Sequence, residues 1–252
     1  MTREWDAASY ERLAAPQTRW GRAVVDRLAL DGDEWVLDAG CGTGRVTELL
    51  LERLPDGHVI GVDGSAAMIE RAAFRFAGDP RVELVVADLT EPLQLDGQVD
   101  AILSTATFHW IADHASLFRN LASALRPGGQ LVAQCGGAGN IANLERIVSQ
   151  LGHSFGGKKT FATAEEARAR LEDAGFEAIE TWLHEEPTTL PEEDLAAFLE
   201  TVCLGGIVDG MGDDDRERLV REVATRMPEP RIDYVRLNIS ARKARARSDL
   251  SA

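Results

Sequence analysis

The sequence predicts a doubly wound α/β protein with a mainly parallel sheet, and two observations lead there. Short apolar runs bounded by Gly, Pro and Asp alternate with segments of helical period. Strands alternating with helices of about ten to fifteen residues form right-handed βαβ units, with a parallel sheet between two helical layers. The first apolar run also ends in a glycine-rich turn, Gly40-Cys41-Gly42-Thr43-Gly44, where a buried strand gives way to a helix.

The elements follow in order. Residues 1–34 read as N-terminal capping helices, with Trp20, Val24, Val25, Leu28 and Leu30 at roughly helical spacing and Asp31-Gly32-Asp33 as the stop. Trp35 to Asp38 is the first strand. Arg45 to Leu54 is a helix with Val46, Leu49, Leu50 and Leu54 inward, stopped by Pro55-Asp56-Gly57. His58 to Asp63 is a strand, Ser65 to Phe76 a helix, and Val82 to Ala87 and Val99 to Ser104 the next two strands. A helix from His114 to Leu125 is stopped by Arg126-Pro127-Gly128-Gly129, and Gln130 to Cys135 is the fifth strand. A glycine loop then feeds a helix within 136–151. Ala164 to Ala174 is another helix, closed by Gly175, and Glu177 to Leu183 is the sixth strand. The helical segments Glu192 to Leu204 and Asp213 to Met227 are too long for a hairpin loop and read as an insertion over the sheet. The alternating stretch from Ile232 to Lys243 supplies the last strand. The expected division is 1–34 as cap, 35–183 as ligand-binding core, 184–230 as substrate-side insertion, 231–243 as final strand and 244–252 as a solvated tail.

Composition narrows the function. Forty-two acidic against 27 basic side chains leave a formal charge of −15 over 252 residues, which argues against a partner with a phosphate backbone. A small anionic substrate needs only one or two local cations and stays open. The three cysteines form no CxxC pair and the five histidines no metal-ligand spacing, so neither a zinc site nor a disulfide scaffold is expected. The opening MTREWDAASY lacks the apolar core of a signal peptide, and no run of about 18 apolar residues occurs. The expectation is a reduced, cytoplasmic protein with a small-molecule partner, no nucleic acid and no membrane; the oligomeric state is not legible.

The glycine turn carries the chemistry. Its spacing is G-x-G-x-G followed by Arg45, not the G-x-G-x-x-G of a dinucleotide site, and the P-loop lysine and hydroxyl are missing. Asp38, just before the turn, would repel a pyrophosphate but suits an ammonium group. Asp63, ending the second strand, can accept from both hydroxyls of a ribose. Asp88 can accept from an adenine amino group. A nucleoside with no phosphate and a cationic amino-acid tail is S-adenosylmethionine.

At these residues the chain resembles the class I methyltransferases. Asp38-Ala-Gly-Cys-Gly-Thr-Gly44, Gly61-Val-Asp63, Ala87-Asp-Leu89 and Leu125-Arg-Pro-Gly-Gly129 are similar in order and spacing to that family's motifs, over roughly residues 1–135, with looser likeness beyond. The resemblance implies a Rossmann-like sheet of seven strands, the last antiparallel, with the helical insertion just before it. It implies S-adenosylmethionine as cofactor, held by Asp38, Gly40, Cys41, Gly42, Asp63, Gly64, Met68, Asp88, Leu89, Thr105 and Ala106, and capped by Tyr10, Gln17 and Trp20. Ser104 to His114 also resembles the S-N-A-x-x-[QH]-W-V-x-D pattern of the trans-aconitate and malonyl-carrier-protein methyltransferases, with Thr105 in place of the asparagine. Trp5-Asp-Ala-Ala-Ser-Tyr10 and Gln17-Thr-Arg-Trp20 resemble that branch's leading helix. The likeness implies a carboxylate acceptor, with His109 as the catalytic candidate and Trp110, Gly137 and Asn140 shaping the substrate side.

Plainer readings stand beside these. Asp38 could cap the next helix, Asp63 could form a turn before Gly64-Ser65, and Asp88 could start a loop. Cys41 reads as packing within the turn, with no partner histidine in the motif. His109 and Trp110 could be core, and Tyr10 and Trp20 ordinary packing aromatics. A carboxylate acceptor is ionised at neutral pH and needs no base; a phenol or amine would need one, and His109 would be the candidate. A cofactor-binding protein without transferase activity is the alternative from another class. A nucleic-acid methyltransferase is disfavoured by the charge and by the lack of an aromatic-proline motif after the fourth strand.

Overall fold

The computed structural model describes residues 15–155 and 159–245, with side chains from residue 19 onward. Strands β1 (Trp35–Ala39), β2 (His58–Asp63), β3 (Val82–Val86), β4 (Val99–Thr105), β5 (Leu125–Gly136) and β6 (Phe176–Glu185) run parallel. Beyond the two-residue strands β7 (Thr188–Thr189) and β8 (Arg231–Ile232), which pair with each other, the chain returns as β9 (Val235–Lys243). Strand β9 is antiparallel to both β5 and β6, and the sheet order is β3-β2-β1-β4-β5-β9-β6. The seven-stranded, mainly parallel sheet with one reversed strand is the architecture expected.

Helices α1 (Ala15–Val25), α2 (Arg45–Arg53), α3 (Ala66–Arg75), α4 (His114–Ala124), α5 (Ala142–Gln150) and α6 (Ala164–Asp173) cover the sheet. Side chains alternate across a strand, so a strand covered on both faces reads as one continuous apolar run. Val36, Ala101, Leu103 and Val132 point to one face and pack under Val24, Val25 and Leu28 and against Leu49 and Leu50 of α2. Leu37, Ile60, Ile102, Ala133 and Ile239 point to the other and meet Leu117, Leu121, Ala167 and Leu171. The starts of α3, α4 and α6 are fixed by Ser65, Asp113 and Thr163, whose side chains accept from backbone N–H groups of the first turn.

The insertion before β9 forms a third cluster. Helices α7 (Glu192–Phe198), α8 (Gly205–Val208) and α9 (Asp213–Arg226) gather Leu195, Phe198, Leu199, Leu219, Val220 and Val223 around α5 and Trp20. The single helix expected from Glu192 to Leu204 is instead α7 followed by one π-helical turn, Leu199–Cys203.

Other expectations need correcting. Among residues 15–34 the helix ends at Val25, and a short turn followed by irregular chain leads to β1. Arg126-Pro127-Gly128-Gly129 does not precede the fifth strand but bulges within it. Val99 pairs with Leu125 and Ala101 with Gln130, because proline lacks the N–H for a ladder and Gly128 takes φ 84°. The last strand is interrupted at Asp233-Tyr234, which separates β8 from β9. Among the described residues no helix is long and apolar enough to cross a membrane.

Candidate active site

A cavity of about 950 Å³ opens at the carboxyl ends of β1 to β4, the rim where open α/β sheets place ligands. Its wall follows the sheet order. Asp88 and Leu89 lie beyond β3, Asp63 and Gly64 at the end of β2, Gly40 and Gly42 after β1, and Thr105, Ala106, His109 and Trp110 at and beyond β4. Because β9 runs backwards, its first residues reach the same rim, and Arg236 joins the wall with Tyr234. The insertion contributes Val202, Cys203, Gly206 and Asp209, and Trp20 lines the cavity from α1.

The turn after β1 depends on its glycines. Gly40, Gly42 and Gly44 take φ of 83°, 56° and 84°, a region in which L side chains are strained. A Cβ on Gly40 would also collide with Thr107. Asp63 holds this turn to the next one: Gly42 N–H donates to Oδ2 at 2.9 Å and Ser65 N–H donates to Oδ1 at 2.9 Å. Asp63 therefore forms a turn and lines the cavity at once. Asp88 accepts through Oδ1 from Thr90 N–H (2.9 Å) and Thr90 Oγ1 (2.8 Å). Met68, 3 % exposed, also reaches the wall.

Asp38 is fully buried behind the turn and does not line the cavity. Its Oδ2 accepts from Thr47 Oγ1 at 2.7 Å, while Oδ1 has no partner among the described residues. Burial pushes its carboxyl up to about 7, opposed by the Thr47 bond and reinforced by nearby Asp63. A buried carboxylate oxygen left over beside a glycine turn fits the amino group of an amino-acid tail.

His109 sits on a short 3₁₀ turn, Phe108–Trp110, and is 8 % exposed. Gly136 N–H donates to its Nδ1 at 3.3 Å, which leaves the ring proton on Nε2. Burial, and then the positive charges of Arg236 and Lys159 with His114 nearby, hold its pKa well below the usual histidine range. The ring is neutral at pH 7 and presents an N–H donor. The turn itself is tied down by His114, whose Nε2 meets the Phe108 carbonyl at 2.9 Å and whose Nδ1 meets Arg170 at 3.2 Å. Next to it, Ala106 takes φ 57°, and its N–H donates to the Gln134 carbonyl at 2.7 Å.

Several expected site residues lie elsewhere. Cys41 packs inward, 7 % exposed, within van der Waals reach of a Cβ on Gly61, and burial pushes its thiol far above the usual range. Gly137 is not part of the wall: it donates to the Val235 carbonyl at 3.0 Å, and an added Cβ would meet Leu183 and Leu237. It is there for close strand packing. Asn140 does line the cavity, and its Oδ1 accepts from Val235 N–H at 3.0 Å. Tyr10 lies outside the described residues. Gln17 lies on α1, with its side chain outside them.

Sequence reasoning missed the cationic wall. Arg236 is 3 % exposed, with its guanidinium 4.4 Å from the Trp20 ring. Lys159 Nζ donates to the Cys203 carbonyl at 2.9 Å and sits 4.7 Å from the Trp110 ring and 4.5 Å from that of Phe155. The wall carries Asp63 and Asp88 beyond β2 and β3, Asp113 beyond β4 and Asp209 from the insertion, and its two cations among the described residues are Arg236 on β9 and Lys159 in the loop before α6.

Comparison with known proteins places this geometry. Residues 36–129 match a family described as a methyltransferase domain. The trans-aconitate 2-methyltransferase of Methylobacterium nodulans is 34% identical over 183 residues, 71% of this chain and 67% of that one. That of Acidovorax ebreus is 37% identical over 131 residues, 52% of this chain and 49% of its relative, so this match spans about half the relative's length. Among solved structures, phosphoethanolamine N-methyltransferase 2 of Haemonchus contortus, in complex with phosphomonomethylethanolamine and S-adenosylhomocysteine, has a TM-score of 0.66 at 21% identity. That likeness covers 95% of this chain and 57% of that one, and speaks for the fold. The chain belongs to the class I S-adenosylmethionine-dependent methyltransferases. Its cofactor is S-adenosylmethionine, and its curated relatives named here are trans-aconitate 2-methyltransferases.

Proposed function

We propose that this chain transfers a methyl group from S-adenosylmethionine to a carboxylate of a small organic acid, forming a methyl ester. The observation that carries the reading is that two cations, Arg236 and Lys159, line the cavity and act on a neutral His109 beside them, although its other charged lining residues, Asp63, Asp88, Asp113 and Asp209, are acidic. When bound, the cofactor supplies an electrophilic methyl group, and its transfer to an ionised carboxylate leaves a thioether and an ester with no proton to move.

The residues divide accordingly. Asp38, with the Gly40 and Gly42 backbone, would hold the methionine tail, Asp63 the ribose, and Asp88 with Leu89 the adenine. Arg236 and Lys159 attract an anion into a site that would disfavour an ammonium acceptor. His109 donates from Nε2 and orients an acceptor oxygen; with that proton in place and Nδ1 already engaged, it does not serve as a base. The phenol and amine readings lose their base. What remains is alignment, and proximity with orientation can contribute about 7–11 kcal/mol to such a reaction. The relatives' name supports the choice of acceptor, and trans-aconitate is the first candidate.

The test is a panel of small carboxylic acids, their neutral amides and matched phenols, each offered with labelled S-adenosylmethionine. Label should enter the acids only. Transfer to phenols or amides and none to acids overturns the reading.

A further inference from the structure

The segment 159–163, just ahead of α6, is fastened to three parts of the molecule at once. Lys159 Nζ donates to the Cys203 carbonyl at 2.9 Å, which ties the segment to the insertion. Thr160 N–H donates to the His109 carbonyl at 2.8 Å, and the Ala162 carbonyl accepts from Ala138 N–H, just past β5, at 2.9 Å. Between these anchors Phe161 lays its ring over the His109 imidazole, with centroids 5.8 Å apart and planes 24° apart. That is the spacing of an offset stack. The half-buried Phe161 ring also packs against the apolar cluster of the insertion. Thr163 then caps α6 and fixes where the segment ends.

Each contact removes a freedom from His109. The Thr160 bond holds its backbone. Gly136 N–H, 3.3 Å from Nδ1, sets the rotation of the ring and leaves the proton on Nε2. Phe161 closes one face of the ring, and the Trp110 ring stands beside it with centroids 5.2 Å apart. Burial is the first cause of the lowered pKa of His109, ahead of the charges of Arg236 on β9, Lys159 in this segment and His114 on α4. The buried Cys135 thiol of β5, pushed up to about 12, adds no charge. Gly136 carries a second signal. A Cβ there would lie 2.8 Å from Phe161 Cε1 and 2.8 Å from Asn140 Nδ2. Glycine therefore lets its own N–H and the Phe161 ring reach the imidazole together.

We infer that Phe161, with Thr160 and Gly136, are the positioning residues of His109, holding its ring as a fixed Nε2–H donor on the acceptor side of the cavity. The inference rests on the reading above of His109 as the group that orients a carboxylate. It assigns that orientation to residues outside every cofactor motif, on a segment that also joins the donor to the insertion.

Nitrogen NMR of the whole chain, labelled at histidine, reads the ring directly, with S-adenosylhomocysteine bound and no acceptor added; His109→Gln assigns the signal. The wild-type ring should show one tautomer, Nε2–H, and no titration between about pH 5.5 and 8.5, the span of an ordinary histidine. Phe161→Ala admits water to one face, so the ring should lose its single tautomer and take up a proton toward the lower end of that span. Phe161→Tyr keeps the ring and should keep the wild-type signal. In turnover with trans-aconitate at about pH 8, where the imidazole is neutral in both, Phe161→Ala should raise the acceptor KM about fivefold, the scale of one misaligned hydrogen bond, with kcat and S-adenosylhomocysteine affinity within about twofold. A wild-type His109 signal in Phe161→Ala overturns the inference and leaves the carboxylate reading standing. A wild-type ring that titrates within that span overturns the inference at its root. Should Phe161→Ala not fold, Gly136→Ala decides: it keeps the N–H but pushes Phe161 aside, and an unchanged signal there overturns the inference equally. If no acid of the panel is methylated while Phe161→Ala still frees the ring, the positioning stands and the carboxylate reading falls.

Discussion

The two ends of the cavity are built in different ways. The β1–β3 end is assembled from consecutive strand ends, each delivering one carboxylate or one glycine turn within a few residues of its motif. The β9 end is assembled from Trp20, Gln134, Lys159 and Arg236, on four elements or loops far apart in sequence. On the proposed reading the first end meets a ligand common to a family, so its chemistry is fixed in short contiguous words. The second would meet the acceptor, and its chemistry depends on which way β9 runs. Changes at one end should therefore leave the other's ligand untouched, and four substitutions test that independence.

Asp63→Ala should have the largest effect. It removes the proposed ribose acceptor and both amide clamps, from Gly42 and Ser65, and should weaken S-adenosylhomocysteine binding by about 2–4 kcal/mol. Calorimetry checks it. Wild-type affinity would reduce Asp63 to a turn former and break the cofactor half of the comparison.

Asp38 gives the next effect, through pH. Its folded-state pKa of about 7 lies above the ordinary carboxylate value, so below pH 7 the group is protonated and a cationic tail must displace that proton. Cofactor affinity should rise with pH, by at most about tenfold per unit below pH 7, and level off above it. In Asp38→Asn, binding titrations from pH 5.5 to 8.5, a range of about 1.5 units either side of that value, should lose this slope. A slope that persists would assign it to another group.

Lys159→Met should act only at the other end. Losing a cation held over Trp110 and Phe155 should raise KM for an acid about fivefold to tenfold, given cation–π and charge contributions of about 1 kcal/mol, with S-adenosylhomocysteine affinity unchanged. A weaker cofactor would show that the ends are coupled.

His109→Gln should have the smallest effect. The amide keeps a donor of similar reach, so turnover should fall far less than the about 10²–10⁴-fold that general-base catalysis contributes. A drop above about a hundredfold, with a rate that follows a titrating group, would make His109 the base after all.

The same contrast explains what was legible. The strand and helix alternation, Asp63, Asp88 and the glycine turn are local signals, and the structure brings Asp63, Asp88, Gly40 and Gly42 to one cavity. Asp38 was singled out by its place before the turn, but not its burial or its raised pKa, which depend on neighbours. Arg236 was hidden because a charged residue in an alternating strand reads as solvent-facing. Its place on β9, between β5 and β6 and against the Trp20 ring, buries it. One signal was available: Tyr234, Arg236, Asn238 and Ser240 share a face, an unusual polar row for a strand inside a covered sheet. Gly137 was misread because a glycine near a ligand rim can serve either a ligand or a neighbouring strand, and here Leu183 and Leu237 occupy the space.

The central claim is that the acceptor atom is a carboxylate oxygen. The direct measurement is the alkaline lability of the transferred label, with the wild-type chain, methyl-labelled S-adenosylmethionine and trans-aconitate. An ester releases its methyl group as volatile methanol on mild alkaline treatment, and the account predicts that the transferred label becomes volatile in this way. Label that enters trans-aconitate and stays non-volatile in alkali would place the methyl group on carbon and contradict the account.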